Sequence, residues 1–470
     1  MKKAENHIFI NYFKSFQRIF AATILFLCGG FLFAFGERHV DEFALKNGIP
    51  VYVVENKNNQ IDSVCIGVKG GISYFTEEQS GIENAVFKMM LNGSASYSKV
   101  DFQNVIYSTN SRFRAASLRE GSVLSLVSME EYLEETLPML LDGFMNPVFE
   151  RKEYETLFNE YYAQIQSMLN DPSSLAFYYG KKILYSETPY SISPSVGPES
   201  IGNLSLEELV YFHKSLMNSK RIFVVAVTSM DSNKLVSVLN DYLGSIPAGE
   251  DVKDFPSDFE FDFNQKPVVF SHASAVGTGF VVRAYDVPGF KSEAFIPEIV
   301  AEHIYSQIMH NVVRAKYGAC YSAEATNFSD VANVGCEYLY RVSDFTDLKK
   351  RMAEARDIIA RGEYVSGTNK DGSFVYRKIT DDFENFVNSV KNSMYSSLAT
   401  TASTASTLCT SLLVWGDLTS LDEQRNRINS VTYKDVQKVF EQSANAEGGF
   451  WLAVTGPENE ALVEELLNRN

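Results

Sequence analysis

The chain has 470 residues, 45% of them hydrophobic, 13% aromatic and 21% charged, the balance of a folded globular protein with enough apolar residues for more than one core. Its 42 Lys and Arg stand against 59 Asp and Glu, a formal net charge of -17. No basic stripe offsets that charge, so a nucleic-acid partner is excluded.

The chain opens with Lys2, Lys3, Lys14 and Arg18, followed by an uncharged run from Ile19 to Gly36. A basic start, an apolar stretch and the small residues Ala34 and Gly36 before a cut make residues 1–36 an expected secretory signal peptide. The run is near the length of a membrane span, so an uncleaved anchor through residues 19–36 is the alternative. The expected location is exported, in the periplasm. Without the leader the chain keeps 38 basic and 58 acidic residues, a net charge of -20. It also keeps Cys65, Cys320, Cys336 and Cys409, with no C-x-x-C pair among them. They read as small buried hydrophobes rather than as a disulfide scaffold.

Apolar runs at Ile49 to Glu55 and Ser63 to Lys69 read as strands, and Ser80 to Met90 as a helix. A long helical pattern starts at Glu150 and stops at Asp171-Pro172, and another helix starts near Ser205. Phe223 to Thr228 is a buried-type strand that leads into the helical pattern from Asn233. The acidic stretch from Gly249, broken by Pro256, reads as a linker. Beyond it the same unit recurs. Strands at Pro267 to Phe270 and Gly279 to Tyr285 precede a helix from Ala294 to Lys316, and Gly367 to Gly372 is a turn-rich loop. A helix near Thr432 then precedes the strand Phe450 to Thr455 and the helix from Ala461. Phe450 lies 227 residues after Phe223, about half the chain without its leader. Strands grouped with helices, without strict alternation, predict an α+β class rather than a doubly wound parallel sheet. The expected organisation is two tandem homologous α+β domains, each a mixed β-sheet covered by helices. Their expected bounds are 37–248 and 267–470, with the linker at 249–266.

Gly70-Gly71-Ile72-Ser73 and the segment from Gly81 to Ser94 resemble the zinc segment of the pitrilysin/insulinase metallopeptidases, which include the mitochondrial processing peptidase. That segment reads G-[ILV]-A-H-x-x-E-H-M-L-F-x-G-T. Gly81, Ile82, Met89, Gly93 and Ser94 match its framework. Asn84 and Lys88 stand where the resemblance places two zinc-binding histidines, and Phe87 where it places the water-activating glutamate. The third ligand position, 76 residues after Lys88, falls on Gln164, with Glu160 one turn away. A zinc peptidase needs neutral imidazoles, a carboxylate and a base. Two amides, an ammonium and a phenyl ring supply none of these, so the four positions are degenerate and no metal or catalytic residue is expected in this chain.

No substitute site replaces it. The six histidines are His7, His39, His213, His272, His303 and His310. His303 and His310 share a helix face, but no carboxylate stands between them at a ligand spacing. There is no G-x-S-x-G.

The second half keeps Arg314-Ala-Lys-Tyr-Gly-Ala-Cys-Tyr321, which resembles the family's second motif, R-x-x-x-G-x-x-Y. Gly318 fits a left-handed helix end, with the strand Ala319 to Ala325 after it. The resemblance implies that Arg314 and Tyr321 bind a peptide carbonyl at a zinc ion and stabilise its oxyanion. In part of the family one chain carries the zinc motif and the other the Arg and Tyr. The implied function is therefore a non-catalytic subunit of an exported zinc peptidase, with zinc only in a homologous active partner and a peptide as substrate. The other reading is a stand-alone, self-associating peptide-binding or scaffold protein, a homodimer or monomer without peptidase activity.

Overall fold

The structure, a computed structural model, describes residues 39–253, 259–328, 333–446 and 448–469. The expected leader, residues 1–36, lies outside them. The first half runs β1 (Asp41–Ala44), β2 (Pro50–Glu55), β3 (Ile61–Lys69), α1 (Ile82–Met89), α2 (Lys99–Thr109), β4 (Arg112–Ser117) and β5 (Gly121–Met129). It continues through α3 (Leu133–Met145), α4 (Arg151–Leu169), α5 (Pro172–Leu184), α6 (Leu206–Leu216), β6 (Ile222–Thr228) and α7 (Ser232–Leu243). The second half runs β7 (Val268–Ser271), β8 (Gly279–Asp286), α8 (Phe295–Met309) with a π-helical continuation His310–Lys316, β9 (Cys320–Asn327) and β10 (Val334–Val342). Then come α9 (Leu348–Ala360), the hairpin β11 (Glu363–Thr368) and β12 (Phe374–Lys378), α10 (Ile379–Ser396) and α11 (Thr401–Val414). The chain closes with α12 (Thr419–Arg427), α13 (Tyr433–Gln442), β13 (Phe450–Thr455) and α14 (Glu460–Asn468).

The two large sheets have the orders β1-β2-β6-β3-β5-β4 and β7-β13-β8-β10-β9. Apart from β1, the orders superimpose term by term. The lone parallel pair of each sheet also recurs, β2 with β6 and β7 with β13, while the remaining neighbours are antiparallel. One mixed α+β unit is thus built twice. Its central strands, Ile222–Thr228 and Phe450–Thr455, are buried at every residue because both faces of each sheet are covered.

On one face, alternate residues carry the main core of each half. Val64, Ile66 and Val68 of β3 meet Ile82, Val86, Leu137 and Leu209 in the first half, and Val281 and Tyr285 of β8 meet Ile304 and Ile308 in the second. The opposite faces are covered by exchange. Leu175, Ala176 and Leu184 of α5, a first-half helix, pack on Phe280, Val282, Leu452 and Val454 of the second sheet. In return α11, from the second half, packs on β3, β5 and β6. Gly67 of β3 makes room for Phe223 beneath that helix, since a Cβ there would lie 2.0 Å from the Phe223 ring.

After residue 258 the chain between the halves packs against the first half. Phe261 is buried, with its ring 5.3 Å from Tyr185 and 5.8 Å from Tyr190. Gly367 to Gly372, expected as a turn-rich loop, is the tip of the β11–β12 hairpin.

Each half also buries charge. In the second, Glu337 accepts from Arg283 Nη1 at 2.9 Å, Arg356 Nη1 at 2.7 Å and the Tyr305 hydroxyl at 2.7 Å. Burial pushes the Glu337 carboxyl up, but the two guanidiniums outweigh it and the net shift is downward. In the first, Glu83 accepts from Ser122 Oγ at 2.5 Å and faces Arg221 at 3.6 Å. Burial there holds the Glu83 carboxyl above its ordinary range despite Arg221.

Candidate functional site

Helix α1 carries the degenerate positions, and its start is fixed by Gly81, at φ +82, where a Cβ would lie 2.2 Å from Val196 N. Asn84, Phe87 and Lys88 follow at helical spacing, so all three lie on one side of α1. Asn84 and Lys88 meet an aromatic residue of α4, and Phe87 one of α3. The Tyr161 hydroxyl donates to Asn84 Oδ1 at 2.8 Å, and Lys88 Nζ lies 4.4 Å from the centre of the Tyr161 ring. Desolvation lowers the Lys88 ammonium, against the pull of Glu160. Desolvation and the Glu160 charge both raise the Tyr161 hydroxyl, which keeps its proton and acts as a donor. Phe87 is fully buried, its ring edge-on to Phe144 at 6.5 Å.

The structure therefore brings Asn84 and Lys88 together with Tyr161. Gln164, three residues further along α4, is exposed. Tyr161 is the residue that motif counting passes over. It belongs to the i, i+4 row Leu157, Tyr161, Ile165, the buried stripe of α4, and that periodicity is its only signal in the sequence. The resulting cluster of amide, ammonium, phenol and phenyl ring is not a zinc donor set. Among the described residues, no three His, Cys, Asp or Glu side chains come together as a metal-holding group.

The second set lies at the far end of α8. Gly318, at φ +60, ends the π-helical segment, and β9 begins two residues later. Arg314 Nε donates to the Tyr321 carbonyl oxygen at 3.0 Å, which fixes the guanidinium beside β9. Its Nη groups make no hydrogen bond among the described residues and stay available to a ligand. Tyr321 is 67% exposed. Its ring is edge-on to Tyr340 at 6.0 Å, and Tyr340 to Tyr338 at 6.3 Å. Tyr338 in turn hydrogen bonds Ser173 of α5 at 2.8 Å. An aromatic ladder thus runs from Tyr321 across β10 to the helix donated by the first half. Strand β9 is an edge strand whose outer side has no neighbour in the sheet among the described residues. No hydrogen bond, ion pair or ring contact joins Arg314 or Tyr321 to the Asn84 cluster among the described residues.

His303 and His310 share an open cavity of about 390 Å³ with Ser306, Gln307, Asn311 and Glu324. Glu324 reaches it from β9, a carboxylate that helical spacing on α8 alone does not reveal.

Residues 51–194 match the insulinase (peptidase family M16) domain, and residues 203–361 match the peptidase M16 inactive domain. No curated protein matches the chain. Among solved structures, a protease from Helicobacter pylori is similar with a TM-score of 0.75 at 15% identity, over 89% of this chain and 99% of that one. A peptidase M16 inactive domain from Pseudomonas fluorescens is similar at 0.73 and 14%, over 89% and 98%. A chain of complex III2 from Candida albicans, with Inz-5 bound, is similar at 0.70 and 15%, over 91% and 100%. At these identities the likeness is one of fold.

Proposed function

Since the chain belongs to the insulinase family of peptidases, M16, we propose that it is a non-catalytic, exported subunit of a zinc peptidase. It pairs with a homologous chain that carries the intact zinc motif. It contributes Arg314 and Tyr321, which hold the carbonyl of a peptide substrate, while the metal, the base and the hydrolytic step belong to the partner. The observation that carries this reading is the Asn84–Tyr161–Lys88 cluster: an internal hydrogen bond and a cation on an aromatic face stand at positions where the resemblance would put zinc ligands. The available Nη groups of Arg314 and the exposed Tyr321 support the substrate role. The inactive-domain match, and a similar chain within complex III2, support a place in a multi-chain assembly.

Arg314→Ala tests the substrate role. In the two-chain complex it lowers the partner's peptidase rate at least roughly tenfold, about 1.4 kcal/mol of transition-state stabilisation, without dissociating the complex. An unchanged rate in an intact complex sinks that role.

A further inference from the structure

The exchange of helices brings together two cysteines that stand 344 residues apart in the chain. Cys65 lies on β3, on the face away from the main core of the first half, next to Gly67 and the Phe223 ring that fills its space. Helix α11 covers that face. Three contacts fix it there. At its start, Thr401 Oγ1 donates to Asn59 Oδ1 at 3.2 Å, in the turn that leads into β3. Near its end, Leu413 Cδ2 lies 2.7 Å from where a Cβ on Gly121 would stand, so helix and sheet touch closely. Between these, two-thirds of the way from Thr401 to Leu413, the buried Cys409 sits on the helix that packs along β3, level with Cys65. Both cysteines are free thiols and buried, at 2% and 1% exposure, so neither meets solvent in the folded chain. Cys320 and Cys336 lie on neighbouring strands of the other sheet, but their partners across the ladder are Val342 and Thr326 rather than each other.

We propose that Cys65 and Cys409 are a disulfide-forming pair that covalently ties the second half's exchanged helix to the first half's sheet. The bond forms at the expense of a disulfide oxidant, such as oxidised glutathione or a thiol–disulfide oxidoreductase. One thiolate attacks the oxidant's S–S bond and expels a thiolate, leaving a mixed disulfide. The second thiolate attacks that mixed disulfide and expels the other half of the oxidant. The two protons lost by the cysteines end on the two released thiols, so atoms and electrons balance. Burial, with Cys65 beside it, raises the Cys409 thiol well above its ordinary range, which slows exchange in the closed fold. The pair therefore closes as α11 docks, or when it opens transiently. Once made, the bond fixes one of the two exchanged helices, so the halves cannot part on that side. It depends on neither a partner chain nor the Arg314–Tyr321 pair.

The test uses the purified full chain, brought to equilibrium in a series of glutathione redox buffers with a thiol–disulfide oxidoreductase present. Samples are acid-quenched, denatured, alkylated and mapped by mass spectrometry. The expected map at oxidising poise is one linked peptide pair, Cys65 with Cys409, while Cys320 and Cys336 are alkylated. Oxidation also raises Tm by about 2–5 °C, a shift absent in Cys65→Ala and in Cys409→Ala. Full alkylation of Cys65 and Cys409 at the most oxidising poise overturns the proposal, as does a bridge to Cys320 or Cys336. The wild-type map is decisive by itself if either variant fails to fold.

Discussion

On the proposed reading, the hydrogen bond from Tyr161 to Asn84 closes the position where the resemblance places a zinc ligand, and a double-mutant cycle measures that bond. Tyr161→Phe removes the donor and keeps the ring on which Lys88 rests; Asn84→Ala removes the acceptor. The bond is 2.8 Å long, Tyr161 is buried and Asn84 half-buried, so the exposed part of the amide recovers some solvation when its partner is lost. Each single change then costs about 1 kcal/mol, at the ordinary value for an intramolecular hydrogen bond, with a coupling of about 1 kcal/mol between them. Tyr161→Ala costs about 3–5 kcal/mol, because it opens a cavity beside Ile165 and Phe158 and removes the aromatic face under Lys88. Equilibrium urea unfolding at neutral pH, followed by far-UV circular dichroism, reads all four variants. A coupling below about 0.3 kcal/mol, within the scatter of non-interacting sites, would refute the contact and with it the filled metal position.

Phe87→Glu, the change that restores the base position of the zinc motif, puts a carboxylate into the apolar contact with Phe144. It lowers stability by at least about 3 kcal/mol at pH 7, and less at pH 5, where a buried carboxyl keeps its proton; denaturant midpoints at the two pH values check this. Glu337→Ala strips Arg283 and Arg356 of their shared buried carboxylate and costs about 3–5 kcal/mol by the same assay. Because the folded chain depresses the Glu337 carboxyl, its stabilisation is present above the ordinary carboxylate range, near about 4.3, and is lost as pH falls below it. Wild type therefore loses more stability than Glu337→Ala between about pH 5 and pH 3; parallel curves would contradict the assignment.

The repeat was legible because buried strands such as Phe223 to Thr228 and Phe450 to Thr455 are continuous apolar runs, and each is followed by an amphipathic helix. Gly318 was legible because a helix that must turn sharply into a strand favours a left-handed glycine. The strand orders were not, since β2 and β6 pair across some 170 residues with no local mark of it. The helix exchange was equally hidden. The apolar face of α5 looks like any other, and nothing in the sequence says whose sheet it covers. For the same reason Cys65 and Cys409 read as unrelated small hydrophobes, and Glu83 gives no sign of Arg221 beneath it. At the degenerate site, motif counting names the positions where ligands are missing but not what has replaced them. Tyr161 emerges only once α4 is rotated so that Leu157 and Ile165 face the core.

The most direct measurement of the central claim is the native mass, subunit content and zinc content of the tagged chain isolated from its own cells under mild conditions. A complex of about twice the chain's mass, with one zinc and a second homologous chain that bears the intact motif, is the result the account predicts. A zinc-free monomer or homodimer without a companion would contradict it and favour a stand-alone binding protein, and zinc held by the isolated chain would contradict the filled metal position itself.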